Sequence, residues 1–356
     1  MKKLYTTPEY KKWHKRRLVK LEKKFRKKRV RQYAQQKLEK PRKSNKHQVN
    51  DIKLPVVAPS DLRLIEKTSD CLAFLRDLRN EDFQSKKGQF KFVVLSLKNV
   101  TQIDYGTISI LTAIIDDLKY KQILVRGDLP VNQECKKFMI DSGYLNNLFD
   151  DNGKPFKKAE KSEMIFFEKG CGMLSENDNK KISLLIKNVV NHLTGSENHC
   201  LPLRTIILEI CGNSIEWGNT ENKQWLLGVK YETEKIVFTV SDVGKGILET
   251  LHRKFKHELT DTFTMKSNDE ILKGAFDKKY GSATQEANRN KGLPAVKINF
   301  QQGTISALKV LTNNVILHFD NDSLSRTFDK GSARFKGTFY QWEMTNNCLT
   351  NITAKQ

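Results

Sequence analysis

Residues 204–219 read Arg-Thr-Ile-Ile-Leu-Glu-Ile-Cys-Gly-Asn-Ser-Ile-Glu-Trp-Gly-Asn, and residues 240–246 read Val-Ser-Asp-Val-Gly-Lys-Gly. Leu203, Ile206, Ile207, Ile210, Ser214 and Trp217 recur at helical spacing, so the first stretch predicts a helix with one buried stripe. Glu209 and Asn213 lie four residues apart, share a different face and point the same way. A carboxylate and an amide one turn apart suit a hydrated Mg²⁺, which keeps its waters and takes few protein ligands. They also suit a water that needs a general base. The second stretch ends a β-branched run from Ile236 to Val240 with an acid and two glycines. It predicts a strand, then a turn where backbone approaches a ligand closely.

A helix carrying Glu-x-x-x-Asn followed by a strand ending Asp-x-Gly-x-Gly resembles the GHKL ATP-binding family of gyrase, MutL and the histidine kinases. Within that family, Glu209-Ile-Cys-Gly-Asn213-Ser-Ile-Glu-Trp217-Gly218 is most similar to the anti-sigma-factor serine kinases, with Trp217 where they carry histidine. Asn290-Lys291-Gly292-Leu293-Pro294-Ala295-Val296-Lys297 resembles the family's second glycine box, a helix opening whose N–H groups receive phosphate. It departs from the pattern in lacking a second glycine. Gly337-Thr338-Phe339-Tyr340-Gln341-Trp342 looks like the closing Gly-Thr strand.

The resemblance implies an α+β fold, a GHKL-type α/β sandwich with helices on one face of a mixed sheet, and ATP with Mg²⁺ as cofactors. Asp242 would accept the adenine amine, while Gly244, Gly246 and Ile247 lie against base and ribose. Asn213 would hold Mg²⁺, and Glu209 would orient and deprotonate the attacking nucleophile. Lys291, Gly292, Leu293 and Thr338 would complete the nucleotide site. Residues 247–291 have the length and polarity of a lid, with a short helix over Asp269–Phe276 and with Arg289 and Lys291 placed toward the γ-phosphate. A turn-forming Asp242 and a solvated Glu209 remain open alternatives. Cys211 reads as a small buried residue.

The formal net charge of +22 is unevenly spread. Residues 1–50 hold 20 Lys/Arg against Glu9, Glu22 and Glu39, and the remaining chain is close to balanced. Thr7-Pro8 starts a predicted helix and Pro41 stops it, giving a rod of roughly 50 Å at about 1.5 Å per residue. Lys15, Arg16, Arg17, Lys23, Lys24, Arg26, Lys27, Lys28, Arg29 and Arg31 make it a candidate nucleic-acid arm. Its thin seam of Trp13, Leu18, Leu21, Phe25 and Val30 also fits docking on protein, and its charge fits an anionic membrane surface.

Between arm and nucleotide motifs, strands and helices alternate, which predicts an α/β layer. The expected elements are strands over Leu62–Ile65, Phe92–Leu97 and Ile123–Val125, and helices from a Ser69 cap, over Thr107–Leu118 and over Glu134–Phe149. Val93-Val94-Leu95-Ser96-Leu97 followed by Val100-Thr101-Gln102-Ile103-Asp104-Tyr105-Gly106 resembles a STAS domain, the anti-sigma-antagonist fold. The family's phosphorylated serine is missing from Asp104-Tyr105-Gly106-Thr107; Thr107 is either a substitute or a helix cap.

The chain thus divides into a basic arm (1–48), a STAS-like domain (49–155), a GHKL domain (156–345) and a tail (346–356). No apolar run is long enough for a membrane span, and no signal peptide is evident. Six dispersed cysteines argue against zinc or a disulfide framework and fit a reducing cytoplasm. The histidines lack metal-ligand spacing, and no nucleophile elbow or Walker motif occurs. The functions that fit are a slow Mg²⁺-dependent ATPase or ATP-driven switch, an anti-sigma-type serine/threonine kinase, and a non-catalytic, nucleotide-stabilised interaction protein. A protein partner and a homodimer are both compatible.

Overall fold

Short apolar strands build a five-stranded sheet, a seven-stranded sheet and a separate two-stranded pair, with helices packed between and around them, in the computed structural model, which describes residues 50–148, 154, 165–172, 174–217, 224–254, 267–277, 292–329 and 331–353. The arm, Arg289 and Lys291 lie outside the described residues. The first segment runs β1 (Asn50–Asp51), β2 (Val56–Val57), β3 (Asp61–Leu62), α1 (Thr68–Arg79), β4 (Ser85–Lys87), β5 (Phe90–Ser96), β6 (Gln102–Ile103), α2 (Tyr105–Tyr120), β7 (Ile123–Gly127) and α3 (Gln133–Asp141). Strands β2, β5 and β7 pair in parallel, while β1, β4 and the start of β5 form an antiparallel edge.

The second segment continues with β8 (Ile165–Cys171), α4 (Glu176–Thr194), α5 (Leu201–Trp217), β9 (Gln224–Tyr231), β10 (Lys235–Asp242), α6 (Ile247–Lys254), α7 (Asn268–Phe276) and α8 (Gly292–Gln301). It closes with β11 (Ser306–Asn313), β12 (Val315–His318), β13 (Arg326–Thr327), β14 (Phe335–Thr345) and α9 (Asn346–Thr353). Its seven strands lie in the order β13-β12-β11-β14-β10-β9-β8. Several helices start where side chains satisfy orphan amides. Ser175 with Asp178 and Ser267 with Glu270 form capping boxes on α4 and α7.

Strand alternation gives the seven-stranded sheet two apolar faces. Ile236, Phe238, Val240, Tyr340, Trp342 and Met344 face α4 and α5, and the Phe238 and Trp342 rings stack 5.2 Å apart. Leu226, Val243, Leu311 and Phe339 belong instead to the core that contains α1 and α2. Helix α2 packs against β7 on one side and against β9 and β10 on the other. It is buried from Tyr105 to Leu118, as expected for a helix apolar on all sides.

The described chain mixes helix and strand as expected for α+β, with differences in detail. Every pairing described in the seven-stranded sheet is antiparallel, not mixed, and helices cover both of its faces. The strand expected over Leu62–Ile65 shortens to Asp61–Leu62 because Thr107 supplies its backbone partners. The Thr107 hydroxyl donates to the Leu62 carbonyl and accepts from the Leu64 amide at 3.1 Å. Thr107 is therefore no helix cap; Asp104 caps α2 by accepting from the Thr107 amide at 2.6 Å.

Two helix limits also differ. Ser69 lies inside α1, whose start at Thr68 is tied by the Thr68 hydroxyl to the Ile65 carbonyl at 2.9 Å. The helix expected over Glu134–Phe149 ends at Asp141, because Gly143 turns left-handed at φ 71° before a tight turn over Tyr144–Asn147. Residues 346–353 carry α9, which buries Cys348 and Ile352 in the second core.

Gly228 marks how closely α2 approaches the sheet: a Cβ there would overlap Thr239 Oγ1 and sit 2.6 Å from the Tyr105 hydroxyl. Gly228→Ala is expected to lower the unfolding free energy by about 1–3 kcal/mol, measured by denaturant titration. An unchanged midpoint would contradict this packing.

Candidate functional site

Helix α5 sends two adjacent residues to two places. Asn213 faces the start of α8, and Ser214 faces the end of β10. A Cβ at Gly292 would meet Asn213 Nδ2 at 2.7 Å, Asn213 Oδ1 at 3.1 Å and Glu209 Oε2 at 3.2 Å. Glu209 and Asn213 thus share one face, as their spacing predicts, and that face abuts the first residue of α8. Gly292 leaves the space that any side chain would fill. The Asn213 Nδ2 atom is buried and has no hydrogen-bond partner among the described residues. A helix N-terminus, a carboxylate and an unpartnered amide therefore converge here.

The neighbouring Ser214 hydroxyl donates to Asp242 Oδ2 at 3.3 Å. Asp242 Oδ1 accepts from the Gly244 amide at 2.9 Å, and Thr338 donates to the same carboxylate through its amide and hydroxyl. Four donors match the roughly four lone-pair positions of a carboxylate. Burial nevertheless pushes the Asp242 carboxyl up to about 6, because desolvation outweighs these hydrogen bonds. Asp242 and Thr338 lie directly opposite in the β10–β14 ladder. Gly337, just before, has φ 148°, and a Cβ there would overlap the Asp242 carbonyl. The Gly-Thr pair is thereby required by a close backbone crossing.

The glycine turn after Asp242 rests on residues that sequence reasoning missed. Gly246 adopts φ 83°, with Asn313 and Thr312 filling the space of a Cβ. Thr312 Oγ1 accepts from the Ile247 amide at 2.9 Å and donates to the Gly337 carbonyl at 2.9 Å. Asn313 accepts from the Leu248 amide at 3.1 Å and donates to the Lys245 carbonyl at 2.8 Å. These side chains hold the first amides of α6, so Ile247 enters the site with its N–H already bonded. The Ile247 and Leu293 side chains pack against the second core. The available signal was Thr312-Asn313-Asn314 at a strand end, where an Asn at positive φ (54° at Asn313) makes a tight turn.

Cys211 is fully buried, and burial pushes its thiol up. His192 bonds the Glu232 carbonyl at 2.8 Å and packs edge-on against Tyr231. No cluster of three metal-binding side chains occurs among the described residues, and no described helix is long and apolar enough to cross a membrane. Comparison with family profiles, curated proteins and solved structures finds no match for the chain.

Burial raises two carboxyls, Asp242 and the α2 cap Asp104, each to about 6. A folded carboxyl that binds its proton more tightly than the unfolded one stabilises fully below its unfolded value, near pH 4. That contribution is lost as pH rises through about 6. Asp242→Asn keeps an acceptor for Gly244 without the buried charge. It is expected to stabilise the protein by about 1–3 kcal/mol at neutral pH and by much less near pH 4. Urea midpoints at both pH values test this, and equal effects at the two would refute it.

Proposed function

We propose that the C-terminal segment binds magnesium ATP in a GHKL-like manner between α5, the Asp242 turn and the start of α8. In this reading the protein is a slow ATPase or ATP-driven switch. The observation that carries it is the convergence of Glu209, the unpartnered Asn213 amide and the side-chain-free opening of α8 at Gly292. The group unpartnered among the described residues is the Asn213 NH2, a donor that calls for an acceptor such as a phosphate oxygen. Oδ1 of the same amide, one helical turn from the Glu209 carboxylate, would suit a hydrated magnesium ion. A magnesium ion held by Asn213 would supply positive charge to the phosphates. The amides at the start of α8 donate toward the same charge. Glu209 holds and orients an attacking water and accepts its proton.

Asp242 reads the base in this proposal by accepting from an exocyclic amine. Its Ser214 bond, at 3.3 Å, is the one that the incoming amine replaces. Only the ionised carboxylate has acceptors alone, so affinity falls as pH drops through about 6, where Asp242 takes up a proton. The likeness of segment 50–148 to a STAS domain remains part of this proposal. The basic arm would carry the switch to nucleic acid by neutralising phosphates.

A kinase acting in cis on Thr107 is disfavoured. That hydroxyl is fully buried and bonded to the Leu62 carbonyl. A kinase acting on a separate protein remains the alternative, and binding without turnover is a third.

Asn213→Ala is expected to weaken magnesium ATP binding at least about tenfold in calorimetry, since it removes a ligand to a charged group. Glu209→Gln should keep binding while slowing phosphate release about 100-fold. With γ-labelled ATP, label on a protein supports the kinase, and binding without either product supports a nucleotide-stabilised scaffold. No binding of ATP by the wild type would sink the proposal. Deleting residues 1–48 should abolish salt-sensitive retention on nucleic acid.

A further inference from the structure

Helix α1 ends on Arg79, far in sequence from the candidate site, yet its guanidinium reaches that site's backbone. Arg79 Nη2 donates to the Val243 carbonyl at 2.9 Å, and Nη1 donates to the Lys336 carbonyl at 2.6 Å. Val243 is the middle residue of Asp242-Val243-Gly244, and Lys336 immediately precedes Gly337-Thr338. One planar side chain therefore ties together the two backbone segments that supply Asp242 and its donor Thr338. A rigid fork of donors suits such a span, which a point charge on a flexible stem does not.

A second set of contacts leads from the same segment to the same strand. The Ser109 and Ser241 hydroxyls lie 2.8 Å apart, and the Thr239 hydroxyl donates to Ser109 at 3.0 Å. All three are fully or almost fully buried, and Ser241 directly precedes Asp242. Helix α2 thus holds β10 from the face opposite α5. Burial weakens the proton affinity of Arg79, while the charges of Asp117 and Asp242 oppose that shift. The guanidinium keeps its charge in either case.

We infer that Arg79 is a positioning residue for the nucleotide turn, and that segment 50–148 regulates the nucleotide site through it. This inference rests on the nucleotide reading of the site. The Asp242 turn and the Gly337–Thr338 crossing keep their spacing only while α1 stays docked. Bound nucleotide tightens α1 through the same contacts that hold the turn, since coupling between two sites is reciprocal.

Hydrogen exchange of the full chain, with and without magnesium ATP, tests this with wild type, Arg79→Ala and Arg79→Lys. Without nucleotide, Arg79→Ala should exchange the amides of residues 243–248 and 336–338 about tenfold faster, while α5 and β9 stay as protected as in wild type. Magnesium ATP should protect α1 in wild type and not in Arg79→Ala, an effect that a merely structural clamp does not produce. Arg79→Lys should fall between. Should Arg79→Ala lose protection throughout α5, Arg79→Lys decides by the same criteria.

Unchanged exchange at the turn overturns the inference. Where the wild type binds ATP, an Arg79→Ala variant with faster exchange at the turn but wild-type ATP affinity and wild-type protection of α1 by ATP overturns the regulation and leaves the positioning role standing. A wild type that takes up no magnesium ATP defeats the nucleotide reading and the regulation with it.

Discussion

Helix α2 has no solvent face for most of its length, and the arrangement of the described chain follows from that. Burying a side chain such as Ile108, Ile110, Leu111 or Ile114 is worth about 1.5–3 kcal/mol each, so a helix apolar on every side needs cover on every side. The five-stranded sheet supplies one wall through β7, and β9 and β10 supply the other. The seven-stranded sheet, in turn, has two apolar faces and needs layers on both. Helices α4 and α5 cover one and α2 the other. Two segments that read as separate blocks in the sequence thus share one apolar core, in which Leu226, Val243 and Phe339 sit among residues of α1 and α2.

The same sandwich sets the chemistry at the end of β10. Successive residues of a strand point to opposite faces, so Ser241 meets Ser109 on α2 while Asp242 meets Ser214 on α5. Water is excluded on both sides. Exclusion raises the Asp242 carboxyl toward neutrality and makes each of its donors matter. Polar groups enclosed this way are stable only when their partners are in place. Thr338, Gly244, Thr312 and Asn313 provide that satisfaction around the turn, and Arg79 provides it for two carbonyls at its edge.

Asn213 stands apart from this satisfied set. Its amide is enclosed and lacks a partner among the described residues, beside a carboxylate and a helix opening. A buried polar atom without a partner costs about 1–3 kcal/mol, a cost that proteins retain where a ligand later meets it. Arg126, Tyr144, Arg204, His318 and Trp342 also hold a buried polar atom without a partner among the described residues, so it is the carboxylate and helix opening beside Asn213 that support a ligand site at this place.

The amino-acid order by itself determined the local pieces. The stripe of α5, the shared face of Glu209 and Asn213 and the strand ending at Asp242 follow from period and glycine placement within short windows, while the helix opening at Gly292 was legible only through the family resemblance. Burial of Cys211 follows in the same way. Tertiary structure alone decided that Thr107 would hold Leu62 and Leu64 and not cap a helix, and that α2 would lie between two sheets. It alone brought Thr312, Asn313 and Arg79 to the Asp242 turn. Those outcomes depend on backbone groups left unpaired by other elements and on apolar faces that need a distant partner. Sequence periodicity records which face a residue occupies, but not which remote carbonyl or face will meet it.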